Sequence, residues 1–191
     1  MSRTEAKPNV SMKRPVVICP GFHASELTEQ FVQSVFSSSY AFSKAFRPLT
    51  TDVFCANPVA VFDWMVQTLS EPKTAAPVLA IGFSGGVVGL TGALLLWQQQ
   101  GGQVQKLIAI DGWGMPIAGL PVCRLSHDEF THWSTLPLGA GKVNFYADPS
   151  VDHLQMWGRP SQVMGQTRED WQTGQSHRTS ATQFIRWALK N

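Results

Sequence analysis

Charged side chains are scarce in this 191-residue chain, where Asp, Glu, Lys and Arg make up 15% of the residues. A typical soluble domain carries about 25%. The net charge is only +2, and four of the basic residues fall within the first fourteen positions. The nearly neutral remainder argues against a nucleic-acid-binding surface. A hydrophobic content of 43% argues against intrinsic disorder.

Cysteine is also scarce, with three residues that are far apart, at positions 19, 55 and 123. An odd number without C-x-x-C spacing argues against a disulfide framework and against a zinc ribbon. Such usage is typical of a reducing compartment, so we expect a cytoplasmic protein. Residues 1–13 are polar and lack the apolar segment of a signal peptide, which predicts a loose tail before a single domain over 14–191.

Charge is absent altogether from Thr74 to Gln105, and Val78–Trp97 has about the length of a bilayer span. Three glycines interrupt this run within Gly82–Gly86, where they would be costly in the middle of a helix. We therefore expect a buried strand before the glycines, a turn, and a buried helix that ends near Gln100. No integral membrane association is expected.

Short apolar runs that end in turn residues recur along the chain and predict five strands. Helical patterns fill most of the intervals between them. Strands that alternate with helices predict an α/β fold, with a mostly parallel sheet of about five to six strands and helices on both faces. Segment 117–140 is expected to form a small lid or edge segment. The expected strands are Pro15–Cys19, Asp52–Ala56, Pro77–Ile81, Lys106–Ile110 and Lys142–Tyr146.

The glycine-rich turn Gly82–Gly86 fits the pattern G-x-S-x-G between a strand and a helix. In that context the pattern is typical of a nucleophile elbow, a strained turn that exposes a serine hydroxyl. The serine is Ser84, and the backbone N–H of Gly85 would face a developing oxyanion at the start of the helix. A tight glycine turn with an incidental serine is the alternative interpretation.

A second oxyanion donor is expected in the loop after the first strand, Pro20–His23. Gly21 allows the backbone to approach a ligand closely, and the N–H of Phe22 is the candidate donor, with that of His23 second. The side chain of His23 is also interpretable as a polar loop residue that packs against the site.

With these motifs the sequence resembles the α/β-hydrolase family, in particular its small lipase-like and esterase-like members. The segments IDGWG at 110–114 and SHDEFTHW at 126–133 also resemble those of short hydrolases of cyanobacterial type. The resemblance covers Pro15 to Leu189 and departs from the family in lacking the first two strands and any large cap domain. It implies an α/β-hydrolase core in which serine, acid and histidine follow one another along the chain.

Two pairs of acid and histidine satisfy that order. In the first pair, Asp111 follows the fourth expected strand and His153 the fifth, so both would lie beside the serine. In the second pair, Asp148 is the acid and His177 the base, which requires a further strand after residue 152. We favour Asp111 with His153, because the sequence offers only a weak candidate for that strand. A pairing of Asp148 with His153 within one loop stays open.

A metal site is not expected. His127 and His132 lie beside two carboxylates but are five residues apart, so one helix face would not present both to an ion. Ser126 and Glu129 instead have the spacing of a helix capping box.

We expect His23, Phe83 and Trp113 to line the substrate pocket, where apolar side chains favour acyl groups over charged substrates. The chain has neither a phosphate-binding loop nor a dinucleotide-binding motif, so no cofactor is expected. The predicted function is hydrolysis of an ester or thioester of a small or apolar acyl group. A non-catalytic member of the fold that binds a ligand or partner is the alternative.

Overall fold

A computed structural model describes residues 15–36, 46–50, 53–112, 114–169 and 176–191. Within them a single eight-stranded sheet has the order β2-β1-β3-β4-β5-β6-β7-β8. Pairing is parallel from β2 to β6 and antiparallel from β6 to β8. The strands are β1 (Val16–Cys19), β2 (Phe46–Pro48), β3 (Val78–Phe83), β4 (Val104–Ile110), β5 (Val122–Ser126), β6 (Val143–Ala147), β7 (Met164–Glu169) and β8 (Ser176–Ser180).

Six α-helices lie within the same residues, and polar side chains fix where most of them begin. Asn57, Asp128 and Asp152 accept hydrogen bonds from the first turns of α2, α4 and α5, and Ser180 forms a capping box with Gln183 at α6. The helices are α1 (Ser25–Val35), α2 (Pro58–Leu69), α3 (Gly85–Gln99), α4 (Glu129–Thr135), α5 (His153–Gly158) and α6 (Ala181–Lys190).

The central strands are buried on both faces, so the sheet separates two hydrophobic cores. In β3, Leu79, Ile81 and Phe83 face the core formed with α1, α5 and α6. Val78 and Ala80 face the opposite core, formed with α2 and α3. This sandwich of helices on both faces explains why the strands read as continuous apolar runs. It places the carboxyl ends of the parallel strands along one edge.

The α/β class and the mostly parallel sheet are confirmed, whereas the expected count of five to six strands is wrong. One missed strand is β5, which lies in the middle of the sheet between β4 and β6. Segment 117–140 is therefore not merely a lid or edge segment. The sequence pattern does not predict this strand, because the charged residue Arg124 interrupts its apolar run although the side chain is buried. Its side chain is satisfied by the carbonyl oxygens of Gly139, at 2.6 Å, and Met115, at 2.7 Å.

Three further expectations need correction. Residues 53–56 form turns that lead into α2 rather than a strand, and the strand that pairs with β1 on the side away from β3 is β2. The further strand after residue 152, for which the sequence offers only a weak candidate, exists as β7; the β7–β8 hairpin is polar because it ends the sheet, where three of the five β8 side chains are exposed. Ser126 is the last residue of β5, so Asp128 caps α4 and the capping box expected from Ser126 and Glu129 is absent.

The uncharged stretch forms β3 and α3, as expected from its glycines. In the part of the chain that the structure describes, no helix combines the length and the hydropathy that crossing a bilayer requires. The expected tail over residues 1–13 lies outside the described residues.

We expect Gly89→Ala to lower the free energy of unfolding by about 1–3 kcal/mol, the usual cost of overpacking. A Cβ at Gly89 would overlap the carbonyl oxygen of Cys55, where α3 packs on the turn before α2. This cost opposes the higher helix propensity of alanine. Urea denaturation measures the change, and Gln99→Ala, at an exposed position of the same helix, is the control. A Gly89→Ala protein as stable as the wild type would show that the two segments are not in tight contact.

Candidate active site

Five loops meet at the edge formed by the carboxyl ends of the parallel strands. They carry Pro20–His23 after β1, Ser84 after β3, Asp111 after β4, His127 after β5, and His153 after β6. Ligands of open α/β sheets bind at this edge. Residues up to 133 positions apart in the sequence are thus carried to one edge of the molecule.

Ser84 occupies the turn between β3 and α3 in a strained conformation. Its φ of 52° and ψ of −126° lie where residues other than glycine are rarely found. The N–H of Ser84 donates to the carbonyl of Ile110 at 2.9 Å, and its own carbonyl accepts from Val87 at 3.0 Å. The residue is buried, with 4% of its surface exposed. These are the features of a strand–elbow–helix turn built around one serine.

Neighbouring glycines make room for this turn. A Cβ at Gly21 would lie 2.8 Å from the Cβ of Ser84, and a Cβ at Gly85 would lie 2.7 Å from the ring of Phe22. A Cβ at Gly86 would overlap the carbonyl oxygens at the end of β1. The loop after β1 therefore packs directly against the elbow, and only glycine fits at the contacts.

Both expected oxyanion donors lie at this contact. Gly85 is the first residue of α3, so its N–H has no acceptor within the helix. Among the described residues, neither this N–H nor that of Phe22 donates a hydrogen bond to the protein. The positive end of the α3 dipole adds to the attraction for an anion.

Asp111 and His153 form a hydrogen-bonded pair. The Nδ1 of His153 lies 2.9 Å from Oδ2 of Asp111, whose side chain is almost completely buried. Since Nδ1 faces the carboxylate, the hydrogen bond fixes the orientation of the imidazole ring, with Nε2 on the side away from Asp111. The ring of His153 stacks on Phe83, the residue before the elbow serine, with centroids 4.6 Å apart. The Ser84 hydroxyl forms no hydrogen bond with another described residue.

Asp111 is held as a carboxylate. Burial alone would raise its pKa, but hydrogen bonds from His127 and His153 outweigh burial and hold the pKa below its usual value. One of these bonds comes from the backbone N–H of His127, 2.8 Å from Oδ1. Asp111 itself has a φ of 48°, so its backbone is also in the left-handed region. Its charge is therefore available to orient His153 at neutral pH.

His127 is a member of this cluster that sequence reasoning did not assign to the active site. Its Nδ1 lies 3.1 Å from Oδ2 of Asp111, and its Nε2 lies 3.4 Å from Oδ2 of Asp128. The close contact with the Asp111 carboxylate raises the pKa of His127, and the charges of Asp128 and Asp152 add to this effect against that of burial. Recognition of β5 in the sequence would have pointed to His127, because His127 is the first residue after the carboxyl end of that strand.

Asp111, His127 and His153 are also the residue types that bind metal ions. Among the described residues, Asp111, His127 and His153 are the one group whose potential ligand atoms all lie within 4.8 Å of one another. Both oxygens of Asp111 already accept hydrogen bonds from N–H groups. We therefore treat the cluster as a hydrogen-bonded network, and the absence of a metal stays a prediction. His132 lies elsewhere, with its ring tilted against that of Tyr146 at a centroid distance of 5.0 Å, and burial lowers its pKa to about 4.

The structure does not assemble the second acid–histidine pair. Asp148 accepts a hydrogen bond from Gln166 at 3.3 Å and lies 3.7 Å from the guanidinium of Arg178. His177 is exposed within β8, hydrogen-bonded to Thr167 of the neighbouring strand. Both are thus engaged at the β7–β8 end of the sheet. Asp111 with His153 is the pair that lies among the loops around Ser84.

A cavity of about 760 Å³ adjoins the loop after β1. His23 and Phe22 line it on one side, and Val32, Val53 and Phe54 are among the apolar residues of its wall. The Nδ1 of His23 lies 2.8 Å from the carbonyl oxygen of Ala24, and its buried Nε2 has no hydrogen-bond partner among the residues that the structure describes.

Of the other two residues expected to line the pocket, Phe83 is buried beneath His23 and His153 rather than facing the cavity. Trp113 lies outside the described residues.

Comparison of the chain with models of known protein families gives no match, and neither does comparison with curated proteins. Function is therefore argued from the geometry and chemistry of the site.

We expect NMR titration to give His127 a pKa above the ordinary value of about 6.5. Asp111→Asn should lower it, because the neutral amide removes the nearest negative charge. Asp148→Asn, which changes a carboxylate outside the cluster, is the matched control. A His127 titration that is the same in Asp111→Asn and wild-type protein would contradict the contact.

Proposed function

We propose that the protein is a serine hydrolase of the α/β-hydrolase type that cleaves esters or thioesters of apolar acyl groups. The observation that carries the proposal is the strained backbone of Ser84, at the carboxyl end of β3 and the start of α3. The hydrogen bond between Asp111 and His153, at the same edge of the sheet, supplies the acid and the base.

Each group has a defined role in the proposed reaction. His153 takes the proton of the Ser84 hydroxyl through Nε2, and the serine oxygen attacks the carbonyl carbon. The N–H groups of Phe22 and Gly85 bind the resulting oxyanion. Collapse of the intermediate breaks the bond to the alcohol or thiol, which leaves with the proton from His153. Water then attacks the acyl-enzyme by the same route, releasing the acid and restoring Ser84.

Asp111 contributes without exchanging a proton. Its carboxylate keeps the imidazole in the tautomer that presents Nε2 and stabilises the positive charge that His153 gains. Because the carboxylate is buried and bonded at both oxygens, its position is fixed before substrate arrives. Such preorganisation is the main source of rate enhancement in sites of this kind.

The lining of the cavity favours an apolar acyl group. Phe22 and Phe54 lie with ring centroids 5.3 Å apart and with about three-fifths of each residue exposed. Glu29 is the one charged residue among the described residues that line the cavity. An acyl chain would replace water against these rings, whereas an anionic substrate would find no cation among the described lining residues.

Hydrolysis by this mechanism requires no cofactor. Cys19, Cys55 and Cys123 are all free and buried, which suits a reducing compartment and supports a cytoplasmic location.

One observation favours the alternative of a non-catalytic binding protein: the Ser84 hydroxyl lacks a hydrogen bond with any described residue. Catalytic hydrogen bonds are often long in unliganded enzymes and tighten when substrate binds. The strained backbone of Ser84 costs about 1–3 kcal/mol, and a protein with no use for a nucleophile gains nothing by keeping it. Catalysis accounts for both observations.

We expect a fluorophosphonate probe to label the folded protein at Ser84. Ser84→Ala should abolish labelling, and His153→Ala should slow it by about 100-fold or more, the usual contribution of a general base. His177→Ala and Ser161→Ala, at exposed positions, are the matched controls. Labelling is measured by intact-mass spectrometry over time.

Two outcomes would contradict the proposal. One is the absence of labelling in folded wild-type protein, and the other is equal labelling of Ser84→Ala. Slower labelling of His177→Ala than of His153→Ala would identify the other histidine as the base.

For p-nitrophenyl esters of increasing acyl length, we expect kcat/KM to rise up to about fourfold per added CH₂, the limit set by about 0.8 kcal/mol of transfer free energy. The rise should end where the chain has filled the cavity. Phe54→Ala should reduce kcat/KM for long chains and spare the acetate ester. Phe130→Ala, on the exposed face of α4, is the control. An equal loss for every chain length would show that Phe54 does not contact the acyl group.

A further inference from the structure

Two imidazoles lie against one carboxylate oxygen in the cluster. Oδ2 of Asp111 is 2.9 Å from Nδ1 of His153 and 3.1 Å from Nδ1 of His127. The Asp111 side chain is 1% exposed, so water barely contacts the carboxylate. A charge on one imidazole therefore changes the electrostatic interaction of the shared oxygen with the other imidazole, and water screens this effect little.

The two contacts are not equivalent. His153 forms the aligned hydrogen bond with Oδ2, whereas Nδ1 of His127 is buried, close to the same oxygen, and not aligned for a hydrogen bond. The backbone N–H of His127 separately holds Oδ1 of Asp111. The backbone contact therefore positions the carboxylate whatever side chain stands at position 127, and the ring adds an effect of its own.

Charged groups surround the ring of His127 from three elements. Asp111 approaches from the end of β4, Asp128 from the start of α4, and Asp152 from the N-cap of α5. The ring of His153 stands almost perpendicular to it, with centroids 6.0 Å apart. Three carboxylates favour a proton on His127, while a proton on His153 would oppose it.

We propose that His127 is a positioning residue that sets the strength of His153 as a base through the carboxylate they share. This inference rests on the proposed serine hydrolase. When His127 is cationic, it neutralises part of the Asp111 charge and repels the proton that His153 must take from Ser84. When His127 is neutral, the whole carboxylate charge supports His153. The rate of attack by Ser84 therefore rises as His127 loses its proton.

The first test is the pH dependence of fluorophosphonate labelling in wild-type and His127→Gln proteins. Glutamine keeps the backbone N–H that holds Asp111 and cannot carry the charge. We expect the wild-type rate to rise in two steps with pH, the second by about tenfold, and the rate of His127→Gln to rise in one. A purely structural role for His127 would change the height of the profile and not its number of steps. Profiles of the same shape in both proteins would overturn the inference.

The second test does not require activity. By NMR, His153→Ala should raise the pKa of His127 further. In that variant the Asp111 carboxylate contacts only the ring of His127, and no second imidazole competes for its negative charge. His177→Ala, at a histidine outside the cluster, is the matched control. If His153→Ala does not fold, His153→Asn takes its place. An unchanged titration of His127 would overturn the coupling even if labelling succeeds, whereas a raised pKa without labelling would leave the coupling intact and refute the proposed hydrolase.

Discussion

The candidate site depends on a carboxylate that the fold buries and then surrounds with N–H donors. A buried charge is costly unless it is paired and hydrogen-bonded. The position of Asp111 at the end of a central strand therefore demands partners from neighbouring loops. Both partners are histidines, one from the loop after β5 and one from the loop after β6. The requirement to satisfy one charge thus brings three loops together and fixes an imidazole at the same edge as Ser84.

The elbow obeys a different constraint, which is steric. Ser84 has a positive φ because the chain reverses between β3 and α3 within one residue. The loop after β1 lies so close that glycine is needed at positions 21, 85 and 86. The same closeness brings the backbone N–H groups of Phe22 and Gly85 to the serine. The contact between the two loops therefore places beside Ser84 the two N–H groups that we propose bind the oxyanion.

Sequence patterns predicted the parts of the molecule that follow general rules of burial. β3, the elbow and α3 were recognisable because an uncharged run with a glycine cluster has few other interpretations. β5 was missed since its buried Arg124 is satisfied by distant carbonyl groups, and local sequence cannot show that. Missing β5 also hid His127, whose importance follows from its place at the end of that strand.

The choice between two acids and two histidines illustrates the same limit. Asp111 and Asp148 both follow strands in the sequence, and chain order alone does not separate them. What separates them is the position of β7 and β8, a polar hairpin that extends the sheet and engages Asp148 and His177 at its far end. Polar edge strands carry little hydrophobic periodicity, so this information was available only in three dimensions.

Arg124 has a consequence for how the edge can move. From inside β5 its guanidinium clamps the carbonyl of Met115, in the segment that leaves Asp111, to the carbonyl of Gly139 ahead of β6. The part of the edge that carries Asp111 is thus anchored from beneath by a side chain that is almost completely buried. On the other half, Phe22 and Phe54 meet through exposed rings alone. The two sides of the edge are therefore held differently, one by a buried charged side chain and the other by contacts between aromatic rings at the surface.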